Sequence, residues 1–280
     1  MPARILFALL AFTAGLRAAP DFQALGRERQ ELDRQIERES QQIEQDQEQA
    51  LVPVNAKIRE LKMAADRAFQ AASLAVGAAF LAGKGEVETA AVEKARFDQL
   101  EVENTEVNQL LPEATDPFEE RRAAVARKQS VAAAKIEAKM FAGQEGGEKA
   151  ASLTVRRAEI TAQWNEKIGR AEKELERAIR KIQVEHTTRI NRAEARIAAL
   201  GIKAGALVNA RVHAKAAKGE APTPADLTPV PDPALAAAET ARDEARNALQ
   251  TAIEQKQADF APRRTALENQ RDEELAALGN

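Results

Sequence analysis

Apolar residues recur three and four positions apart over long stretches of this chain. The longest run alternates the two spacings without interruption and comprises Ile190, Ala193, Ile197, Leu200, Ala204, Leu207 and, at its end, Arg211. This period places one stripe on an α-helix, whereas a half-buried strand would require a period of two. The spacing therefore predicts long amphipathic helices that pack against one another.

The composition agrees with this prediction and indicates a thin core. Alanine accounts for 61 of the 280 residues, aromatic residues for 4%, and the chain has one Trp and no Tyr. Alanine is the strongest helix former, but it buries little apolar area per residue. We expect an all-α fold of long antiparallel helices that form coiled-coil hairpins or an elongated helical bundle.

Glycine and proline clusters divide the chain into five predicted helical stretches. These stretches span residues 21–82, 86–111, 117–142, 148–217 and 234–278. The breaks fall at Gly83–Gly85, at Leu111–Pro117, at Gly143–Gly147 and in the segment 219–233, which holds five of the 11 prolines. Asp116-Pro117 and Asp232-Pro233 both have the form of a capped helix start. The predicted organisation is a helical region over 19–218, a Pro-rich linker over 219–233 and a C-terminal helix over 234–280.

The first 18 residues have the layout of a secretory signal peptide. Arg4 supplies the positive charge, residues 5–16 form the apolar region, and Ala18-Ala19 supply small residues for cleavage after Ala18 or Ala19. The chain has no Cys and no Asn-x-Ser/Thr acceptor, and no later apolar stretch reaches the length of a membrane span. We expect a periplasmic or secreted protein of bacterial type, without a transmembrane span once the signal is removed.

The net charge of −3 hides large blocks of opposite sign. Residues 86–120 carry 11 acidic and two basic side chains, whereas residues 151–218 carry 15 basic and seven acidic ones. The simplest interpretation is internal, with flanking charges of antiparallel helices selecting their pairing and register.

The basic stretch 151–218 is also the predicted interaction surface. The candidate residues for that surface are Arg156, Arg157, Lys167, Arg170, Lys173, Arg177, Arg180 and Lys181. Nucleic acid is not the expected partner, because an exported protein meets little of the cell's nucleic acid. In the basic stretch, moreover, only Trp164 could stack on a base. A protein partner, self-association through helices, and contact with a membrane surface or an anionic envelope polymer stay open.

The sequence offers no constellation for catalysis, a metal or a cofactor. Without Cys, a zinc site would depend on His186 and His213. These lie 27 positions apart on one predicted helix, which is about 40 Å at 1.5 Å per residue. The Gly-containing turns follow helices, whereas phosphate loops precede them. We therefore expect no enzyme activity, no metal and no cofactor.

In general style the chain resembles periplasmic helical chaperones of the Skp/OmpH type and coiled-coil adaptor segments. It shares no motif with them, and those chaperones are shorter and basic, so the resemblance does not assign the chain to a family. The expected function is that of an exported, non-enzymatic coiled-coil protein with a structural or interaction role in the cell envelope. The alternative is a periplasmic holdase-type chaperone, or a binder of anionic envelope polymers through the basic helix 151–218.

Overall fold

A computed structural model describes residues 21–83, 88–141 and 146–279, and the predicted signal peptide lies outside these ranges. All regular structure in the described ranges is helical. The helices are α1 (Phe22–Leu81), α2 (Ala90–Thr105), a π-helical turn (Glu106–Leu110), α3 (Leu111–Met140), α4 (Gly147–Ala217), α5 (Pro224–Leu227) and α6 (Pro233–Ala277). The predicted all-α fold of long helices is confirmed.

Several helix ends follow from the residues that the sequence places there. The Asp21 carboxylate accepts hydrogen bonds from the backbone N–H groups of Gln23 and Ala24, both at 3.0 Å, and so caps α1. Asp232 accepts from the backbone of Ala234 at 2.9 Å and begins α6 as predicted. Gly83, just beyond the end of α1, has φ +75°, a conformation that favours glycine.

The predicted break at Leu111–Pro117 is wrong, because α2, the π-helical turn and α3 run on without interruption. Pro112 is the second residue of α3, and the wider turn before it relieves the clash of a proline ring with the carbonyl group four residues earlier. Pro117 lies inside α3 instead of beginning a helix. Packing along the helix therefore outweighs the local cost of both prolines.

The chain divides into two compact units, and unit 1 consists of the described residues of 1–48, 116–174 and 259–280. Three ion pairs join α1 to α3 here: Asp46–Arg121 at 2.7 Å, Glu39–Lys128 at 2.9 Å and Glu28–Lys139 at 2.6 Å. The two residue numbers of each pair add up to 167, which requires antiparallel helices in one constant register. We call these three pairs the acid–base ladder.

The other helical segments of unit 1 are also paired. Lys173 of α4 lies 3.5 Å from Glu120 of α3. Glu174 of α4 accepts from Arg263 of α6 at 2.7 Å. The core of this unit includes Ile43, Ile160, Trp164, Ile168 and Ala171, all less than 9% exposed.

Unit 2 comprises the described residues of 49–115 and 175–258. Its hydrophobic cluster contains Val76 and Phe80 from α1, Val92 from α2, and Ala199 and Ala206 from α4. Gln99 of α2 donates to Asp66 of α1 at 2.7 Å, and Arg246 of α6 donates to Glu194 of α4 at 2.7 Å. These contacts show that α1, α2, α4 and α6 contribute to this unit.

Alanine makes up half of the buried apolar core in the described ranges. Nine of the eighteen buried apolar residues in the described ranges are alanine, and Ala195 and Ala199 have no exposed area. On this part of α4 the most buried positions are Asn191, Ala195, Ala199 and Ala206. The stripe predicted from Ile190 to Arg211 lies beside them and is mostly half-buried. The reason is steric: small residues allow close helix approach, and the larger Ile and Leu side chains fill the flanks.

The segment predicted as a Pro-rich linker contains the short helix α5. Asp226 accepts from the backbone N–H and from the hydroxyl group of Thr223, at 2.9 and 2.6 Å, in a capping box. Arg211 of α4 donates to the carbonyl oxygen of Thr228 at 2.8 Å. The segment is thereby attached to the end of α4.

Candidate interaction surfaces

Three of the predicted basic surface residues on α4 are engaged by acidic side chains of their own unit. In unit 1, Arg156 lies 3.7 Å from Glu159, and Arg170 forms an ion pair with Glu166. Lys173 approaches the carboxylates of two glutamates of α3 and donates to a backbone carbonyl group of that helix at 3.2 Å. The chain itself therefore neutralises part of the predicted surface.

The remaining five basic residues have different environments. The Lys167 ammonium lies 3.7 Å from the centre of the Trp164 ring, a cation–π contact. Arg157 and Lys181 are exposed, and within the described ranges neither has an ion pair or a hydrogen bond. Arg177 and Arg180 lie in unit 2 and have interactions of their own. The eight residues are therefore not one continuous unpaired patch.

The acid–base ladder of unit 1 places acidic residues on α1 opposite basic residues on α3. The hydrogen bond from Lys128, helped by one from Gln35, lowers the pKa of Glu39 below its usual value. The hydrogen bond from Arg121, helped by one from Gln42, lowers the pKa of Asp46 in the same way. These carboxylates are therefore held in the charged form. At such exposed positions ion pairs select register more than they add stability.

A polar cluster in unit 2, in which Asn104 and Asn191 are buried, lies beside the π-helical turn and was not predicted from the sequence. Glu101 of α2 accepts from Asn191 at 2.8 Å and from Thr188 at 3.0 Å, both on α4. Asn104 of α2 is 5% exposed and accepts from Asn108 at 2.8 Å. Polar residues in a helical interface restrict the register, because any slip leaves buried polar atoms without partners. The only sequence signal was the occurrence of Asn and Thr within helix-forming stretches.

Both histidines of the chain lie on α4. His186 is half-buried on α4, and its Nδ1 atom has no hydrogen-bond partner within the described part of the chain. His213 lies on the exposed end of the same helix. Among the residues that the structure describes, no group of three or more His, Asp or Glu side chains is arranged to hold a metal ion.

In the described ranges, no helix is both long enough and apolar enough to cross a bilayer.

Comparison with known proteins gives no relative: no family model matches the chain, and no curated protein or solved structure is significantly similar to it.

Proposed function

We propose that this chain is an exported, non-enzymatic protein of the cell envelope with a structural or interaction role, which acts through the surfaces of its long helices. The observation that supports this proposal is the acid–base ladder, together with the matching contacts of α4 and α6. Charge is used to align long helices, and alanine is used to bring them close together. This design favours extended helix surfaces over an enclosed binding cavity.

Export is the first part of the proposal to be tested. A C-terminally tagged chain should accumulate in the periplasm or the medium and lose about 18 N-terminal residues, as N-terminal sequencing would reveal. The matched control is the same chain without residues 2–18, which should stay in the cytoplasm. Full-length chain recovered only from the cytoplasm would contradict the proposal.

The interaction role is tested by cross-linking in intact cells. A photoreactive residue at an exposed position of α1 or α6 should give discrete cross-linked species in the envelope fraction. The same residue at the buried position of Ile160, which is 1% exposed, is the control and should give none. A chain that gives no cross-linked species from any exposed position would contradict an interaction role.

The alternative function is that of a holdase-type chaperone or anionic-polymer binder acting through α4. The observation in its favour is that Arg157 and Lys181 are exposed and make no ion pair within the described ranges. Binding to an unfolded outer-membrane protein should then be lost at high salt, and Arg157→Glu with Lys181→Glu should weaken it. Exchange of the neutralised Arg170 for Gln is the control, because that charge already faces Glu166. An absence of binding at low salt would exclude this alternative.

A further inference from the structure

One side of α1 in unit 2 carries an exposed apolar stripe with a regular spacing. Val52, Met63 and Leu74 are 67%, 47% and 75% exposed, and they follow one another at intervals of 11 residues. Eleven residues complete three helical turns to within about 20°, so the three side chains lie in one line along the helix. We call them the outer stripe.

The outer stripe is distinct from the face that α1 uses within its own unit. Ala65 and Val76 are buried at 8% and 3% exposure, and each comes two residues after a member of the stripe. Two residues correspond to about 200° around a helix, so the buried face is nearly opposite the stripe. The stripe is therefore a line of large apolar residues on the exposed side of α1, away from the face that packs within the unit.

Four charged residues flank the middle of the outer stripe. Arg59 and Glu60 precede Met63, and Asp66 and Arg67 follow it. All four are exposed, and Asp66 accepts a hydrogen bond from Gln99 of α2. Within the described ranges, the structure has no ion pair or hydrogen bond for the side chains of the other three.

From this arrangement we infer that the outer stripe is a contact surface for a second copy of the same chain. If two copies meet in opposite directions with Met63 facing Met63, then Val52 of each copy faces Leu74 of the other, because both are 11 positions from Met63. Large apolar residues then lie opposite each other at three positions spaced 11 residues apart.

The charges fit the same arrangement. In the antiparallel arrangement Arg59 lies beside Asp66 of the second copy, and Glu60 lies beside Arg67 of the second copy. In the parallel arrangement Arg59 lies beside Glu60 of the second copy, and Asp66 lies beside Arg67. Each neighbouring pair is therefore of opposite sign in both directions, and this complementarity identifies a second copy as the partner.

This inference goes beyond the proposed function, because self-association is measured on the purified chain and does not depend on where the protein works. The full chain should be purified with whatever N-terminal processing occurs in its host. Sedimentation velocity of this chain should show a dimer whose fraction rises with protein concentration. Met63→Glu should weaken dimerisation at least about tenfold, since it brings two carboxylates together at the centre of the contact. Leu227→Glu is the matched control, because Leu227 is 56% exposed but lies outside the stripe, and it should leave the dimer unchanged. Equal dimerisation of the wild-type chain and the Met63→Glu variant would overturn the inference, as would a strictly monomeric wild-type chain.

Cysteine cross-linking tests the contact independently, because the chain has no cysteine of its own. Met63→Cys should form an intermolecular disulfide in either direction. A mixture of Val52→Cys and Leu74→Cys chains should form the mixed disulfide if the copies are antiparallel, and disulfides between identical chains if they are parallel. Circular dichroism of each variant controls for folding. Folded Met63→Cys chains that remain unlinked under oxidising conditions would overturn the inference.

Discussion

Enlarging a core alanine tests whether alanine is required at the helix contacts. Ala199 of α4 has no exposed area and belongs to a cluster with Val76, Phe80 and Val92. Exchange of Ala199 for Leu adds three carbon atoms where neighbouring side chains already meet. Overpacking of this kind costs about 1–3 kcal/mol of the free energy of unfolding.

The matched control lies two residues away on the same helix. Gly201 is exposed, and no described atom outside its own helix turn lies within 4 Å of a Cβ atom built on it. Gly201→Ala should therefore stabilise the chain by about 0.5–1 kcal/mol through helix propensity alone. The two substitutions both add carbon to the same part of α4, but the changes they cause in the free energy of unfolding should have opposite signs.

Urea unfolding followed by circular dichroism at 222 nm would measure both effects. With a slope of about 2–3 kcal/mol/M, the midpoint of Ala199→Leu should fall by roughly 0.3–1.5 M, whereas that of Gly201→Ala should rise slightly. Truncation of Phe80 to Ala costs about 3–5 kcal/mol by itself. The double variant Phe80→Ala/Ala199→Leu should lose less stability than the two single variants together, since the leucine fills part of the cavity that the phenylalanine leaves. An unchanged or raised midpoint for Ala199→Leu would refute the argument that close packing requires alanine.

Three further predictions concern polar contacts. The pKa values of Glu39 and Asp46 are lowered in the folded chain, so the stabilisation from their ion pairs is present above the ordinary carboxyl pKa of about 4. This stabilisation should be lost as the pH falls through the lower pKa values of the folded chain. Between pH 7 and pH 2 the urea midpoint should therefore decline less in the Glu39→Gln/Asp46→Asn variant than in the wild type. Asn191→Ala removes a buried donor to the Glu101 carboxylate and should cost about 1–3 kcal/mol in the same assay, and an unchanged midpoint would show that the polar cluster is not required. Thr223→Ala removes the capping box of α5 and should speed proteolysis between residues 219 and 232 without changing the urea midpoint, whereas an unchanged cleavage rate would contradict the role of the cap.

The sequence predicted the helices well where local signals and packing agree. Asp232-Pro233 begins α6, and Gly83 follows the end of α1, because an N-cap carboxylate and a residue with positive φ act locally. At Asp116-Pro117 the same local signal was misleading. There the helix continues through the proline, because contacts along α3 contribute more than one lost backbone hydrogen bond.

The interaction surfaces were less predictable, since they depend on which helices become neighbours. The basic residues of α4 could be identified by counting charges, but the pairing of Lys173 with α3 could not. The Glu101–Asn191 contact joins residues 90 positions apart, so no local pattern reveals it. The buried positions of α4 differ from the predicted stripe because alanine suits an exposed position and a closely packed one equally well. An alanine in the sequence therefore does not show which side of the helix is buried.

The single tryptophan gives the molecule a built-in optical reporter. Trp164 is 8% exposed, donates to Glu274 at 2.7 Å and lies in unit 1, and the chain has no tyrosine to contribute emission. Its fluorescence should therefore follow the melting of unit 1 alone, whereas circular dichroism sums over all the helices. Coincident denaturation curves from the two signals would mean that the whole chain unfolds as one cooperative system, and separated curves would give each unit its own transition.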